Sequence, residues 1–123
     1  MSVVNLEAKF ANFADQWSPK IIARLNDLHV KAVKIRGEFV WHRHAETDEL
    51  FFVHKGRLTI RLRDGGGERA VCIGPGEMFV VPKGMEHMPV AEDECEMLLI
   101  EPAGTLNTGD AGGDRTVTQE VWI

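Results

Sequence analysis

The alternation of apolar and polar side chains predicts short β-strands over most of this chain. Residues 58–63, Leu-Thr-Ile-Arg-Leu-Arg, change between apolar and polar at every step, which is typical of a strand with one buried face. Clusters of glycine, proline, asparagine and aspartate separate such runs, and no helical spacing intervenes after Pro19. The pattern therefore indicates an all-β antiparallel sandwich or barrel from residue 19 onward.

The first 18 residues carry the spacing of an amphipathic helix instead. Their large apolar side chains recur at intervals of four, three and four residues, Asn5 is placed to cap the helix, and Pro19 lies beyond its end. We expect about three turns of helix, packed against the barrel. The residues on its apolar face are Leu6, Phe10, Phe13 and Trp17.

Four later runs are apolar on both faces of the predicted strands, so something covers their outer side. These runs are residues 39–41, 50–53, 78–81 and 97–100. They exceed what one short helix can bury, which favours a homodimer formed through sheet faces by Phe39, Trp41 and Phe52. Coverage by the chain's own ends is the alternative.

The C-terminal part of the chain is less regular. Residues 102–115 are too rich in glycine for a strand or helix and predict a long connection, which serves either as a lid or binding loop or as surface slack. Residues 116–122 place Val117 and Val121 among polar neighbours, which indicates a final strand that a partner subunit could exchange.

Length, composition and charge narrow the class of protein. With 123 residues, 44% of them hydrophobic, we expect one domain with a single core, divided into a helix in residues 1–18 and a barrel in residues 19–123. The formal net charge of −5 comes with no basic cluster, which argues against nucleic acid and anionic membranes as partners. No apolar stretch has the length of a signal peptide or a membrane span, and we expect a cytoplasmic protein.

Three of the five histidines fall in two short segments that have the pattern of metal-binding strands. Because successive side chains of a strand point to opposite faces, His42 and His44 share one face. Glu49 begins the next apolar run, where a carboxylate needs a partner. The third histidine, His87, follows a turn of proline and glycine in the second segment.

At these positions the chain resembles the cupin superfamily, and within it a small single-domain cupin of the cupin 2 type. The residues that match the first cupin motif are Gly37, His42, His44, Glu49 and Gly56, and those that match the second are Gly76, Pro82, Gly84 and His87. Two positions depart from the pattern: Gly37 lies one residue closer to His42 than is usual, and Ala91 stands where asparagine is common. The resemblance covers roughly residues 20–101 and implies a double-stranded β-helix, a jelly-roll-like antiparallel barrel.

The resemblance also implies one divalent metal ion, and the donor types agree with it. Three imidazoles and one carboxylate suit transition metals such as Fe, Mn, Ni, Cu or Zn, whereas Ca and Mg prefer shells of oxygen alone. An octahedral ion with four protein ligands keeps two adjacent positions for water, oxygen or substrate, as a catalytic metal requires. The predicted ligands are His42, His44, Glu49 and His87.

We therefore expect a mononuclear metal-dependent enzyme that acts on a small oxygenated molecule, with dioxygenase-like chemistry favoured. A mannose-6-phosphate-isomerase-like sugar isomerase is one alternative, although a phosphosugar needs a cationic cluster and the arginines at 43, 57, 61 and 63 are predicted to face outward. A non-catalytic sensor or binding module for a small molecule is another. No catalytic or cofactor-binding residue beyond the metal ligands is assigned, and the predicted pocket walls are Phe51, Val53, Met78, Val80, Met97 and Leu99.

Overall fold

Seven strands, with every paired set antiparallel, form the body of the fold. The structure, a computed structural model, describes residues 2–123. Its helix α1 spans Leu6–Ala11, and its strands are β1 Lys20–Leu25, β2 Leu28–Glu38, β3 Glu49–Lys55, β4 Leu58–Asp64, β5 Gly67–Ile73, β6 Met78–Val81 and β7 Glu86–Pro102. The predicted all-β architecture with one short N-terminal helix is confirmed.

Strand β7 is the central strand of the sheet, because three other strands pair with it. Residues 86–90 pair with β4, residues 96–100 pair with β3, and β2 pairs with residues 90–102. The remaining strands extend these pairs, with β1 beside β2, β6 beside β3 and β5 beside β4. Residues near both ends of β7 therefore border one interior.

The main core fills that interior with side chains from alternate positions. In β4, Leu58, Ile60 and Leu62 are at most 1% exposed, as the sequence pattern predicts. In β3, Phe51 and Val53 are buried in the same way. The alternate residues of this strand, Leu50, Phe52 and His54, face outward and are only partly buried. Period-two burial therefore determines which side chains of these strands are available to an internal site.

A second core cluster lies on the outer face of the sheet, under α1. Phe10 of the helix packs with Ile22, Ala32 and Leu98, and Phe52 borders the same cluster. The side chain of Asn5 caps the helix by accepting a hydrogen bond from the backbone N–H of Ala8 at 2.9 Å. The N-terminal segment thus covers one of the outward apolar faces of its own chain.

The helix is shorter than predicted, because tertiary hydrogen bonds replace helical ones beyond Ala11. The backbone N–H of Trp17 donates to the Lys34 carbonyl at 2.8 Å, and its indole N–H donates to the Arg36 carbonyl at 3.0 Å. Trp17 has a φ of 60°, which no right-handed helix accommodates. Phe13 and Trp17 therefore pack against the sheet from a segment that is not helical.

The outward aromatic residues on which the homodimer expectation rests are covered within the chain. Phe39 stacks on Trp17 with ring centroids 4.8 Å apart. The guanidinium carbons of Arg61 and Arg63 lie 5.1 and 4.0 Å from the centroid of Trp41. Phe52 is covered by the helix cluster in the same way. In the run 78–81, however, Met78 and Val80 stay exposed, and the oligomeric state stays a prediction.

The C-terminal segment does not form the predicted final strand. Its end instead makes one parallel bridge to the edge of β1, between Ile21 and Trp122. The backbone N–H of Ile21 donates to the Val121 carbonyl at 2.7 Å, and that of Ile123 donates to the Ile21 carbonyl at 3.1 Å. Thr116 and Val117 instead form hydrogen bonds with the side chains of Thr108 and Asn107, so this part of the segment does not join a sheet. Among residues 2–123, no helix has the length and apolar character to cross a membrane.

Replacing Phe10 with Ala should destabilise the protein by about 3 kcal/mol, the lower end of the range for truncating a buried phenylalanine, because α1 packs on only one side. Phe10 is 1% exposed, whereas Val3, the control position, is 96% exposed. Urea unfolding measures both variants, and Val3→Ala should stay within about 0.5 kcal/mol of the parent. Equal stability of the two variants would show that α1 does not pack as described.

Candidate metal centre

Backbone hydrogen bonds hold two of the predicted ligands side by side. The N–H of His42 donates to the His87 carbonyl at 3.0 Å, and the N–H of His87 donates to the His42 carbonyl at 2.8 Å. The carbonyl of His44 accepts a hydrogen bond from Gly84 at 2.8 Å, which ties the same segment to the turn before β7. Glu49 is the first residue of β3. The four side chains thus come from three parts of the chain that the sheet fixes in place.

The structure brings all four predicted ligand side chains together in the interior. One donor atom from each of His42, His44, Glu49 and His87 lies within 4.8 Å of the others. None of these residues is more than 8% exposed. Among the described residues, this is the one group of histidine, cysteine and carboxylate side chains with such geometry.

Hydrogen bonds to backbone carbonyls orient two of the rings. Nδ1 of His42 lies 2.9 Å from the Val40 carbonyl, and Nδ1 of His87 lies 2.9 Å from the Met85 carbonyl. A carbonyl oxygen only accepts, so each Nδ1 carries the proton and donates it. In the neutral rings, Nε2 then bears the lone pair that a metal ion requires.

The contacts around Glu49 show that the donor set fits a cation. Nε2 of His87 lies 3.1 Å from Oε1 of Glu49, so in the neutral ring two lone pairs face each other. Nε2 of His44 lies 3.4 Å from Oε2 and is buried without a hydrogen-bond partner. Buried polar atoms are normally satisfied, and one divalent transition metal would satisfy the imidazole and carboxylate lone pairs together.

The electrostatics of the site favour the protonation states that bind metal. Burial, followed by the nearby His87, lowers the pKa of His42 to about 4. Burial alone would raise the pKa of Glu49, but the hydrogen bonds that His44 and His87 donate when their rings are protonated outweigh it and hold that pKa well below its usual value. At neutral pH, His42 is therefore uncharged and Glu49 is ionised, as metal ligation requires.

Sequence reasoning missed a buried ion pair behind the cluster. Nζ of Lys31 lies 2.9 Å from Oε1 of Glu101, and these residues are 6% and 1% exposed. Burial and the charge of Glu49 raise the pKa of Glu101, with Lys31 acting in the opposite sense. Parity could have found Glu101, since it follows the inward-facing Leu99 by two positions on β7.

A small, mainly apolar cavity of about 20 Å³ lies beside the candidate ligands, and His42 and Glu49 form part of its wall. Of the predicted pocket walls, Phe51, Met97 and Leu99 line it, and the other apolar residues around it are Trp17, Pro19, Val33, Phe39 and Pro89. Val53 does not line this cavity and lies in the main core with 0% exposure.

The prediction that Met78 and Val80 face the pocket is wrong. These side chains are 59% and 47% exposed. Strand β6 pairs Phe79 with Phe51 and Val81 with Glu49, so the intervening residues point outward. A run of four apolar residues contains no polar position to mark its parity, and only the pairing with β3 sets it.

The glycine-rich loop lies directly on the His42 segment. A Cβ atom on Gly109 would stand 2.2 Å from the carbonyl oxygen of Arg43 and 3.2 Å from Cδ2 of His42. The N–H of Arg43 donates to Oδ1 of Asp110 at 2.9 Å, and Thr108 is fully buried. Of the two interpretations of residues 102–115, these contacts support a cover over the site rather than surface slack.

Asn107 fastens this loop to the C-terminal segment. Its Nδ2 donates to the Arg115 carbonyl at 2.7 Å, and its Oδ1 accepts from the N–H of Val117 at 2.9 Å. The hydroxyls of Thr108 and Thr116 add a hydrogen bond of 2.6 Å. The C-terminal segment therefore fixes the position of Asn107, which lines the cavity.

Known proteins support this description at two levels. The family model described as Cupin domain matches residues 30–101. A cupin-2 domain protein from Shewanella frigidimarina is 49% identical, with a TM-score of 0.77, and the match covers 81% of this chain and 94% of that protein. Residues 30–101 contain all four side chains of the candidate centre.

Curated relatives are more distant, and the similarity covers only part of each. The uncharacterized protein YdbB of Bacillus subtilis is 32% identical over 82 residues, which are 67% of this chain and 64% of YdbB. A 3-hydroxyanthranilate 3,4-dioxygenase of Aspergillus fumigatus is 32% identical over 78 residues, which are 62% of this chain and 40% of the enzyme. The chain thus spans less than two thirds of the length of either relative. Fold, motif residues and the match to a solved relative together establish that the chain belongs to the cupin domain family.

Proposed function

We propose that this protein is a mononuclear metal-dependent enzyme that acts on a small oxygenated molecule, with dioxygenase-like chemistry favoured. The observation that carries the proposal is the buried group of three imidazoles and one carboxylate, whose ligand atoms lie within 4.8 Å of one another beside an apolar cavity. A structural metal is usually enclosed by protein ligands, whereas a cavity beside the ligands leaves room for a reactant.

The proposed ligands are His42, His44, Glu49 and His87, and a divalent transition metal held by them would supply Lewis acidity or a centre for oxygen chemistry. The carbonyls of Val40 and Met85 keep two of the rings oriented through their Nδ1 protons. Apolar walls around Phe51 and Leu99 exclude water from the reacting groups and strengthen electrostatic interactions there.

Oxygen chemistry is favoured over sugar-phosphate isomerisation by the position of the arginines. Arg43 has a side chain that is 56% exposed and lies 3.5 Å from Asp110. Arg61 and Arg63 are held outside the barrel, over Trp41. A phosphosugar would find no arginine cluster beside the candidate ligands. The similarity to 3-hydroxyanthranilate 3,4-dioxygenases supports the same choice, although it extends over only 40% of the Aspergillus fumigatus enzyme.

Replacing His44 with Ala should lower metal affinity at least tenfold, since even the loss of an orienting partner of a ligand costs about that much. His54→Ala is the matched control, because His54 lies on the outer face of β3 and stacks on Phe10. Metal content after dialysis against a weak chelator measures both variants. Full retention of metal by folded His44→Ala would contradict the assignment.

Metal affinity should fall as pH is lowered from 7 to 5, because protons compete with metal for imidazole nitrogen. The pKa of about 4 keeps His42 neutral without metal, so at most two of the three imidazoles exchange protons in this range. Glu49, with its lowered pKa, stays ionised and adds nothing there. The apparent dissociation constant and proton uptake can be measured by titration at several pH values. A constant affinity, or three protons per metal, would contradict this model of the site.

Protein loaded with Fe(II) should consume oxygen with at least one member of a panel of enols, β-diketones, catechols and hydroxy acids. Consumption should match substrate loss and should disappear in His44→Ala but persist in His54→Ala, since only the former removes a proposed ligand. An oxygen electrode and product analysis measure both quantities. Metal-dependent binding of these compounds without turnover would instead identify a binding or sensor module.

A further inference from the structure

A second and larger cavity adjoins the one at the candidate metal centre. Its volume is about 80 Å³, and its wall is more polar. Pro19 and Asn107 line both cavities, so the two spaces are neighbours separated by these residues. The side chains through which the larger cavity offers charge are Lys31 and Glu120.

Lys31 presents an unused hydrogen-bond donor to this cavity. Its Nζ donates to Oε1 of Glu101 at 2.9 Å and makes a long contact with the Thr105 carbonyl at 3.4 Å. An ammonium group has three N–H donors, so one remains for an oxygen atom of a ligand. Lys31 is 6% exposed, and burying such a group is costly unless it is paired.

Glu101 is shared between Lys31 and the candidate centre. Its Oε1 accepts a hydrogen bond from Nζ of Lys31, and its carboxyl group also contacts Glu49 on the adjacent strand. The ammonium of Lys31 has no further carboxylate partner within 4 Å among the described residues. Glu120 is half exposed and faces His29, whose Nδ1 lies 4.0 Å from its Oε1, so it does not compensate Lys31 directly.

Other polar atoms at this end of the barrel are also unsatisfied. Nδ1 of His29 and Oε2 of Glu101 are buried without hydrogen-bond partners. The two residues face each other in the pairing of β2 with β7. An oxygen-rich group in the larger cavity would meet the remaining donor of Lys31, which lines it, whereas a purely apolar ligand would leave that donor unpaired.

We propose that Lys31 determines substrate specificity by binding a carboxylate at the end of the substrate remote from the metal. The inference rests on the proposed function, because it assumes that the opposite, oxygenated end of the same molecule lies at the four metal ligands. The reacting end occupies the apolar cavity, and the carboxylate reaches the polar cavity past Pro19 and Asn107.

Size narrows this substrate class further. A cavity of about 150 Å³ accommodates benzene, and both cavities described here are smaller. A flexible, open-chain oxo acid can follow two small adjoining spaces, whereas a planar ring cannot bend from one into the other. Any acid with more than about six heavy atoms, open-chain or aromatic, also requires residues 102–119 to move away from the His42 segment.

The test compares two seven-carbon β-diketones that differ at one end only. Heptane-2,4-dione ends in a methyl group, and 4,6-dioxoheptanoate has a carboxylate in its place. Calorimetric titration of the Zn(II)-loaded full chain at pH 7.5 measures the affinity for each probe without turnover. The ratio of the two affinities reports recognition of the carboxylate separately from recognition of the diketone.

The parent protein should prefer the carboxylate probe by about tenfold or more, as expected for a charge-assisted hydrogen bond. In the double variant Lys31→Met, Glu101→Gln, the ratio of the two affinities should fall to about one. This variant removes both charges of the ion pair, so that neither is left buried without its partner. Lys31→Arg should retain a preference. Lys34→Met is the matched control and should keep the parent ratio. Lys34 lies on the same strand, but its Nζ donates a hydrogen bond to the Phe13 carbonyl on the outer side of the sheet.

The possible outcomes separate the role of Lys31 from the proposed metal-dependent function. Equal affinity of the metal-loaded parent for both probes, or a preference that persists in the double variant, overturns the role of Lys31 and leaves the metal site intact. Failure of the parent to hold metal, or to bind either probe when loaded, overturns the proposed function as well. Loss of the preference in Lys34→Met would show a general effect of charge rather than a specific contact.

Discussion

The pairing of β7 with three other strands is the constraint on which the site depends. One end of β7 carries His87 beside the His42 segment, and the other carries Leu99 and Glu101 beside β2 and β3. Because backbone hydrogen bonds fix this strand along its length, the candidate ligands and the cavity wall are parts of one rigid frame. Side-chain packing then refines positions that the ladder has already set.

This frame concentrates polar groups in an interior that is otherwise apolar. The buried polar residues include four histidines, two glutamates and two lysines. Burial of unpaired polar groups opposes folding, so the stable arrangement is one in which each finds an opposite charge or a lone pair finds a cation. The orphaned nitrogen of His44 marks the place where the protein alone does not complete that arrangement.

Sequence predicted the parts of this structure that local periodicity controls. The parity of β3 placed Glu49 and Phe51 on the inner face, and motif spacing brought the histidines to them. Prediction failed where contacts distant in sequence decide the outcome. The parity of Met78 and Val80 depends on pairing with β3, and the path of Trp17 depends on hydrogen bonds to β2. Lys31 gave no signal of its own, because a single lysine in a strand more often faces solvent.

The contact at Gly109 has a consequence for how such a protein diversifies. Its backbone has a φ of +53°, and any side chain there would meet the Arg43 carbonyl at once. The surrounding loop lacks regular hydrogen-bond ladders, so its length and composition can vary on either side of this point. Position 109 therefore requires glycine, whereas its neighbours in the loop can be replaced. Substitutions in residues 102–115 can change the substrate that the cavity accepts without altering the strands that carry the histidines.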